Sequence, residues 1–218
     1  MHPTIPDLVR HAAETYGSRE FLRFPSESLT FADAFHRSES LAAALSDKGV
    51  RQGDRVAVMM DNVPGWPLAW LAILRAGGIA VPVNVRYQAA DLEHVLRDSG
   101  AVATITTAEH AARIPGTVYL VDDLAGGDPP DLRLQSHDVA NFQYTSGTTG
   151  FPKACMLTHD YWLRSAELVA DVVRPRGDDV MLIAQAYSYM DPQWTTVLCL
   201  LAGIPQVVLP RFSASGFW

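Results

Sequence analysis

The chain reads as an α/β protein with a layered, mostly parallel sheet and flanking helices. Three observations predict this. Strand-like runs and helix-like periodicities alternate along nearly the whole length, the pattern of parallel strands joined by right-handed crossovers. The run Val56–Met60 is apolar without interruption, as in a strand covered on both faces. Glycines fall where three of the helical periods stop, at Gly49, Gly77–Gly78 and Gly203.

The elements follow in order. Ile5, Leu8, Val9 and Ala12 mark a helix over 5–16, and 21–24 is a short strand. Thr30 is placed to cap a helix over 31–48, whose stripe is Phe31, Phe35, Leu41, Ala42 and Leu45. Strand 55–60, helix 65–75 and strand 79–83 come next, then helix 91–98 and strands at 102–106 and 118–121. Residues 122–137 hold Gly126, Gly127, Pro129, Pro130 and several aspartates, and read as an exposed loop. Strand 139–144 feeds a hydroxyl-rich stretch, and 153–157 is apolar enough for another strand. Thr158 caps a helix over 160–173. Strand 180–184, a helix from about 194 to 201 and strand 206–209 complete the described pattern.

Composition narrows the partners. With 218 residues and 48% hydrophobic content the chain suffices for one large domain or two small ones. A formal charge of −7 argues against a nucleic-acid partner, because phosphate backbones are met by basic stripes. No stretch approaches a membrane span, and the first residues lack the basic head and apolar core of a secretory signal. Cys155 and Cys199 lie in apolar runs and read as free, buried thiols of a cytoplasmic protein. The seven histidines show no metal-ligand spacing, so no metal ligand is assigned.

The chemistry concentrates in Tyr144–His159, YTSGTTGFPKACMLTH. Thr145, Ser146, Thr148 and Thr149 supply hydroxyls, Gly147 and Gly150 remove side chains that would hold a ligand off, and Lys153 follows Pro152. Successive amides in such a turn form an anion nest. A lysine about 4 Å from a phosphate oxygen adds roughly 4 kcal/mol at an effective dielectric near 20. A Ser/Thr/Gly run by itself is equally consistent with a plain surface turn, and the spacing is not that of a Walker loop, since only Thr148 and Thr149 separate the two glycines.

The full string resembles the phosphate loop of the adenylate-forming superfamily, which includes acyl-CoA synthetases, peptide-synthetase adenylation domains and luciferases. Ala154 stands where that family usually has glycine, a change of small effect if its φ is negative. The stretch Ile73–Tyr87 is similar to a scaffold element of the same family. The Asp191-x-Gln193 pattern and the closing RFSASGFW look most like carnitine/crotonobetaine-type and fatty acid CoA ligases.

The resemblance implies the first part of a large N-terminal AMP-binding domain over 1–218, with the rest of that domain and a C-terminal lid missing. It implies an acid–thiol ligase using ATP, Mg2+ and coenzyme A to activate a fatty or other carboxylic acid. Thr145, Ser146, Gly147, Thr148, Thr149, Gly150 and Lys153 would hold the phosphates, with Lys153 as the catalytic residue. Tyr189, at the position of a family histidine, would line the acyl pocket with Tyr187 and Met190. Packing aromatics are the competing reading of Tyr187 and Tyr189. The alternatives are a carrier-loading adenylation domain and a truncated, non-catalytic module that keeps the loop. A chain lacking its later partners is expected to self-associate through an uncovered apolar face.

Overall fold

The computed structural model describes residues 2–145 and 151–212. The elements are α1 (Ile5–Tyr16), β1 (Glu20–Arg23), β2 (Ser28–Thr30), α2 (Phe31–Asp47), β3 (Arg55–Met59), α3 (Gly65–Arg75), β4 (Ile79–Pro82), α4 (Ala89–Ser99), β5 (Ala103–Thr106), α5 (Ala108–Ala111), β6 (Val118–Leu120), β7 (Val139–Thr145), β8 (Lys153–Thr158), α6 (His159–Val173), β9 (Met181–Ile183), α7 (Met190–Ala202) and β10 (Gln206–Val208).

The strands form two sheets. One has the order β6-β5-β3-β4-β7-β8, and the other β2-β1-β10-β9. Each is parallel except for one edge hairpin partner, β8 on β7 and β2 on β1. Helices α1, α2, α3, α6 and α7 pack on one another, and both sheets are packed against members of this group. Strand β3 shows the double burial expected of VAVMM. Val56 and Val58 join the main core, while Ala57 and Met59 face a second core with Leu92 and Val95 of α4.

Local chemistry accounts for the boundaries. The Thr30 hydroxyl accepts from the Asp33 amide, while the Asp33 carboxylate accepts from the Thr30 amide, a reciprocal cap. Thr158 caps α6 through the Tyr161 amide at 3.2 Å. Gly77 closes α3 with φ +75, where a side chain would also meet Leu132 and Gln52.

Four expectations are corrected. The sequence pattern does not divide the strands between two sheets, and β8 is antiparallel because it returns directly from β7 instead of crossing over a helix. Helix α7 begins at Met190, four residues earlier than its apolar run. Tyr189 takes extended N-cap dihedrals, and Asp191 and Pro192 are both tolerated in a first turn. The 122–137 segment is only partly exposed. Leu124 is buried, and Gly126 lies so close to α2 that a Cβ would stand 2.4 Å from the Ala44 amide nitrogen. Cys199 is a buried free thiol, raised in pKa by desolvation, but Cys155 is exposed on β8.

Candidate functional site

Strands β7 and β8 form a hairpin whose last pair is Thr145 with Lys153, preceded by Tyr144 with Ala154. The pairing sets the two stems of the hydroxyl- and glycine-rich segment side by side. Thr145 is exposed at the end of β7, and Lys153 is exposed at the start of β8. Ser146, Gly147, Thr148, Thr149 and Gly150 lie outside the described residues, as do the final six of RFSASGFW. Ala154 is a strand residue. The one described non-glycine with positive φ is Arg174, so the glycine-to-alanine departure imposes no left-handed backbone.

Lys153 borders a cavity of about 470 Å3 together with Tyr144, Asp98, His94, Phe151 and Met156. The Tyr144 hydroxyl donates to Asp98 Oδ2 at 2.6 Å. Burial, and then the Asp98 carboxylate, raise the pKa of this phenol, so it remains a donor. His94 Nε2 lies 3.0 Å from the Pro152 carbonyl oxygen, and its ring stacks on Phe151 at 4.5 Å.

The other face of β7 is closed. Asn141 and Gln143 point inward and are buried. The Trp70 indole donates to Asn141 Oδ1 at 2.7 Å, and Asn141 Nδ2 donates to Gln193 Oε1 at 2.7 Å. Gln193 Nε2 donates to Gln143 Oε1 and to the carbonyls of Tyr187 and Tyr189. Gln143 Nε2 donates to the Ser188 carbonyl at 3.0 Å. This net brings the Tyr187–Met190 segment against β7, two residues before Thr145. Its members were not assigned from sequence. Their signal was two amides at alternate positions of an otherwise apolar strand, and the glutamine of Asp191-x-Gln193.

The three pocket residues separate. Tyr187 is fully buried, stacked on Trp66 and hydrogen-bonded to Gln206, with burial raising its pKa. It is a core residue and is withdrawn from the pocket wall. The reason is geometric: its hydroxyl already has a buried acceptor. Tyr189 is 52% exposed, and Asn84 Nδ2 donates to its hydroxyl at 3.3 Å. Met190 is half-buried at the start of α7. The Ser188 hydroxyl is buried and has no partner among the described residues.

His159, which closes the motif, is buried beside the start of α1, where its Nδ1 accepts from the Ile5 amide at 3.4 Å. Desolvation holds its pKa down to about 4, so the ring is neutral. It is a structural pin and does not reach the cavity. Among the described residues, Asp61, Glu109 and His110 bring three ligating atoms together, with His110 Nε2 and Asp61 Oδ2 at 2.8 Å. None of the three borders the Lys153 cavity.

Comparison with known proteins agrees with this geometry. A profile of the AMP-binding enzyme family matches residues 9–218. The chain is 30% identical to the medium/long-chain-fatty-acid–CoA ligase FadD6 of Mycobacterium tuberculosis, over 99% of this chain and 39% of that protein. It is 40% identical to a feruloyl-CoA synthase of Amycolatopsis over 63% of this chain and 30% of the relative. Among solved structures, o-succinylbenzoate coenzyme A synthetase from Bacillus subtilis in complex with AMP superposes with a TM-score of 0.88 at 26% identity, covering 95% of this chain and 56% of that one. A long-chain-fatty-acid-CoA ligase of Archaeoglobus fulgidus gives 0.89 at 24% identity, covering 98% and 48%, a likeness of fold. The chain spans about two-fifths or less of the length of these curated relatives. No helix among the described residues is long and apolar enough to cross a membrane. With the profile spanning residues 9–218, the chain belongs to the AMP-binding enzyme family.

Proposed function

We propose that the whole protein is an ATP-dependent acid–thiol ligase. A carboxylate oxygen attacks the α-phosphorus of ATP, the bond to the β-phosphate oxygen breaks, and pyrophosphate leaves. The thiol of coenzyme A then attacks the acyl carbon, and AMP departs. Adenylation is needed because a carboxylate has no leaving group that a thiol can displace. Such chemistry depends on positioning and charge neutralisation more than on covalent help from the protein.

In this reading Thr145, Ser146, Gly147, Thr148, Thr149 and Gly150 hold the β- and γ-phosphates, and Lys153 neutralises charge as pyrophosphate forms. The observation that carries it is the β7–β8 register, which sets Lys153 beside Thr145 at the mouth of the segment. Tyr189 and Met190 border the acyl group. Mg2+ would accompany ATP and screen its phosphates. Among the described residues, the carboxylate that borders the Lys153 cavity, Asp98, already accepts from Tyr144, and it makes no magnesium site by itself. No step is therefore assigned to the ion. The names of the relatives support a fatty or aromatic acid as substrate and coenzyme A as acceptor. Their greater length supports residues 1–218 as part of a larger nucleotide-binding domain. A cytoplasmic location fits substrates of this kind.

The test is Lys153→Ala in the full-length protein. ATP–pyrophosphate exchange with a panel of fatty and aromatic acids should fall on the order of 100-fold. The thiol step started from pre-made acyl-adenylate should change little. Equal loss in both half-reactions, or no exchange by the wild type with any acid, would refute the reading. Exchange followed by transfer only to a carrier protein would select the carrier-loading alternative.

A further inference from the structure

We propose that His94 is a positioning residue for Lys153, holding Phe151 and Pro152 so that the lysine is presented at a set place. The inference rests on the functional reading above. Helix α4 is itself fixed, since Leu92 and Val95 pack in the outer core with Val81 and Val83. From this helix two side chains reach the hairpin. Asp98 accepts from Tyr144 on the entry strand, and His94 meets Phe151 and Pro152 on the exit.

The need for His94 follows from the ladder. The last β7–β8 pair is Thr145 with Lys153, so Pro152 lies one residue beyond it. A carbonyl there only accepts, so His94 Nε2 carries the hydrogen and donates at 3.0 Å. Stacking on Phe151, at 17° between planes, fixes the adjoining residue. Phe151 is 54% exposed, so little else buries it. Freed from α4, the peptide before Lys153 would have neither contact, and the lysine would sample more positions.

The test uses the full-length enzyme with His94→Ala, His94→Gln and Phe151→Ala. For His94→Ala, the KM for ATP in pyrophosphate exchange should rise about tenfold, the loss expected of one hydrogen bond with its stacking partner. The KM for the acid and the thiol step from pre-made acyl-adenylate should stay as in wild type. Glutamine, which restores an amide donor, should recover part of the ATP affinity, and Phe151→Ala should show a smaller rise. Without nucleotide, hydrogen exchange at the Lys153 and Ala154 amides should accelerate in His94→Ala. An active wild type whose ATP KM is indifferent to His94 would overturn the inference alone. So would a uniform loss in both half-reactions that glutamine does not relieve. A wild type without exchange on any acid would instead remove the functional reading on which it rests. If the alanine variant fails to fold, the glutamine and Phe151 variants give the same comparison.

Discussion

On one face of β7, Asn141 and Gln143 sit in a closed net of amides. On the other, Phe142 and Tyr144 border a cavity beside Lys153. The two faces belong to one strand and are built from alternate residues, yet they divide the labour. The closed face ties β7 to the Tyr187–Met190 segment, and each buried donor in it that is lost leaves an acceptor stranded. The open face has contacts that solvent can replace, and it is where a ligand can approach. A site of this kind needs both, since the rigid face keeps the working face in place.

Removing the net should cost most. Gln193→Leu takes the Gln193 partner from Asn141 Nδ2, from Gln143 Oε1 and from the Tyr187 and Tyr189 carbonyls in a buried net, and should lower unfolding free energy by about 4 kcal/mol in denaturant titration. A loss below about 1 kcal/mol would mean that water replaces the amide and the face is not closed.

The pH dependence of stability comes next, through the buried His159. Its folded pKa is near 4 against 6.5 when exposed. Above that range neither state binds a proton. As pH falls through the window, the unfolded chain takes up a proton that the buried ring refuses. Stability should therefore drop by about 3 kcal/mol between roughly pH 6.5 and pH 4. His159→Gln should flatten the pH profile over this window, and a profile parallel to that of the wild type would show that the ring is not responsible.

The open face should respond less. Tyr144→Phe removes the bond to Asp98, but Asp98 is exposed and regains water, so about 1 kcal/mol is expected. A value like that of Gln193→Leu would erase the contrast between the faces.

A weaker effect concerns association. Leu168, Val172 and Val173 on α6 and Leu182 on β9 are exposed, and β9 is a sheet edge. The 218-residue chain should self-associate in light scattering, and Leu168→Lys with Val172→Lys should reduce it. A monodisperse wild-type monomer would count against this.

Much of the fold was legible because its signals are local. Thr30 with Asp33, Thr158 before α6 and glycine after α2, α3 and α7 mark helix ends with side chains close in sequence. The motif Tyr144–His159, with Lys153 inside it, was legible as a family resemblance. Helix α7 was misread at its start because its first turn, Met190-Asp191-Pro192-Gln193, carries turn-like composition on a helical backbone.

The sequence by itself determined the alternation of elements, the double burial of β3 and the membership of the loop in a known family, since each depends on neighbours along the chain. Only the tertiary structure decided the rest. It split the strands between two sheets, sent Tyr187 to the core and Tyr189 outward, and exposed Cys155. It also showed His94 and Asp98 reaching the loop stems from α4. Those outcomes depend on partners 19 to 125 residues away, such as Gln206 for the Tyr187 hydroxyl, Asp98 for Tyr144 and Asn62 for the Tyr187 amide. No local periodicity encodes which of two neighbouring tyrosines will find a buried acceptor.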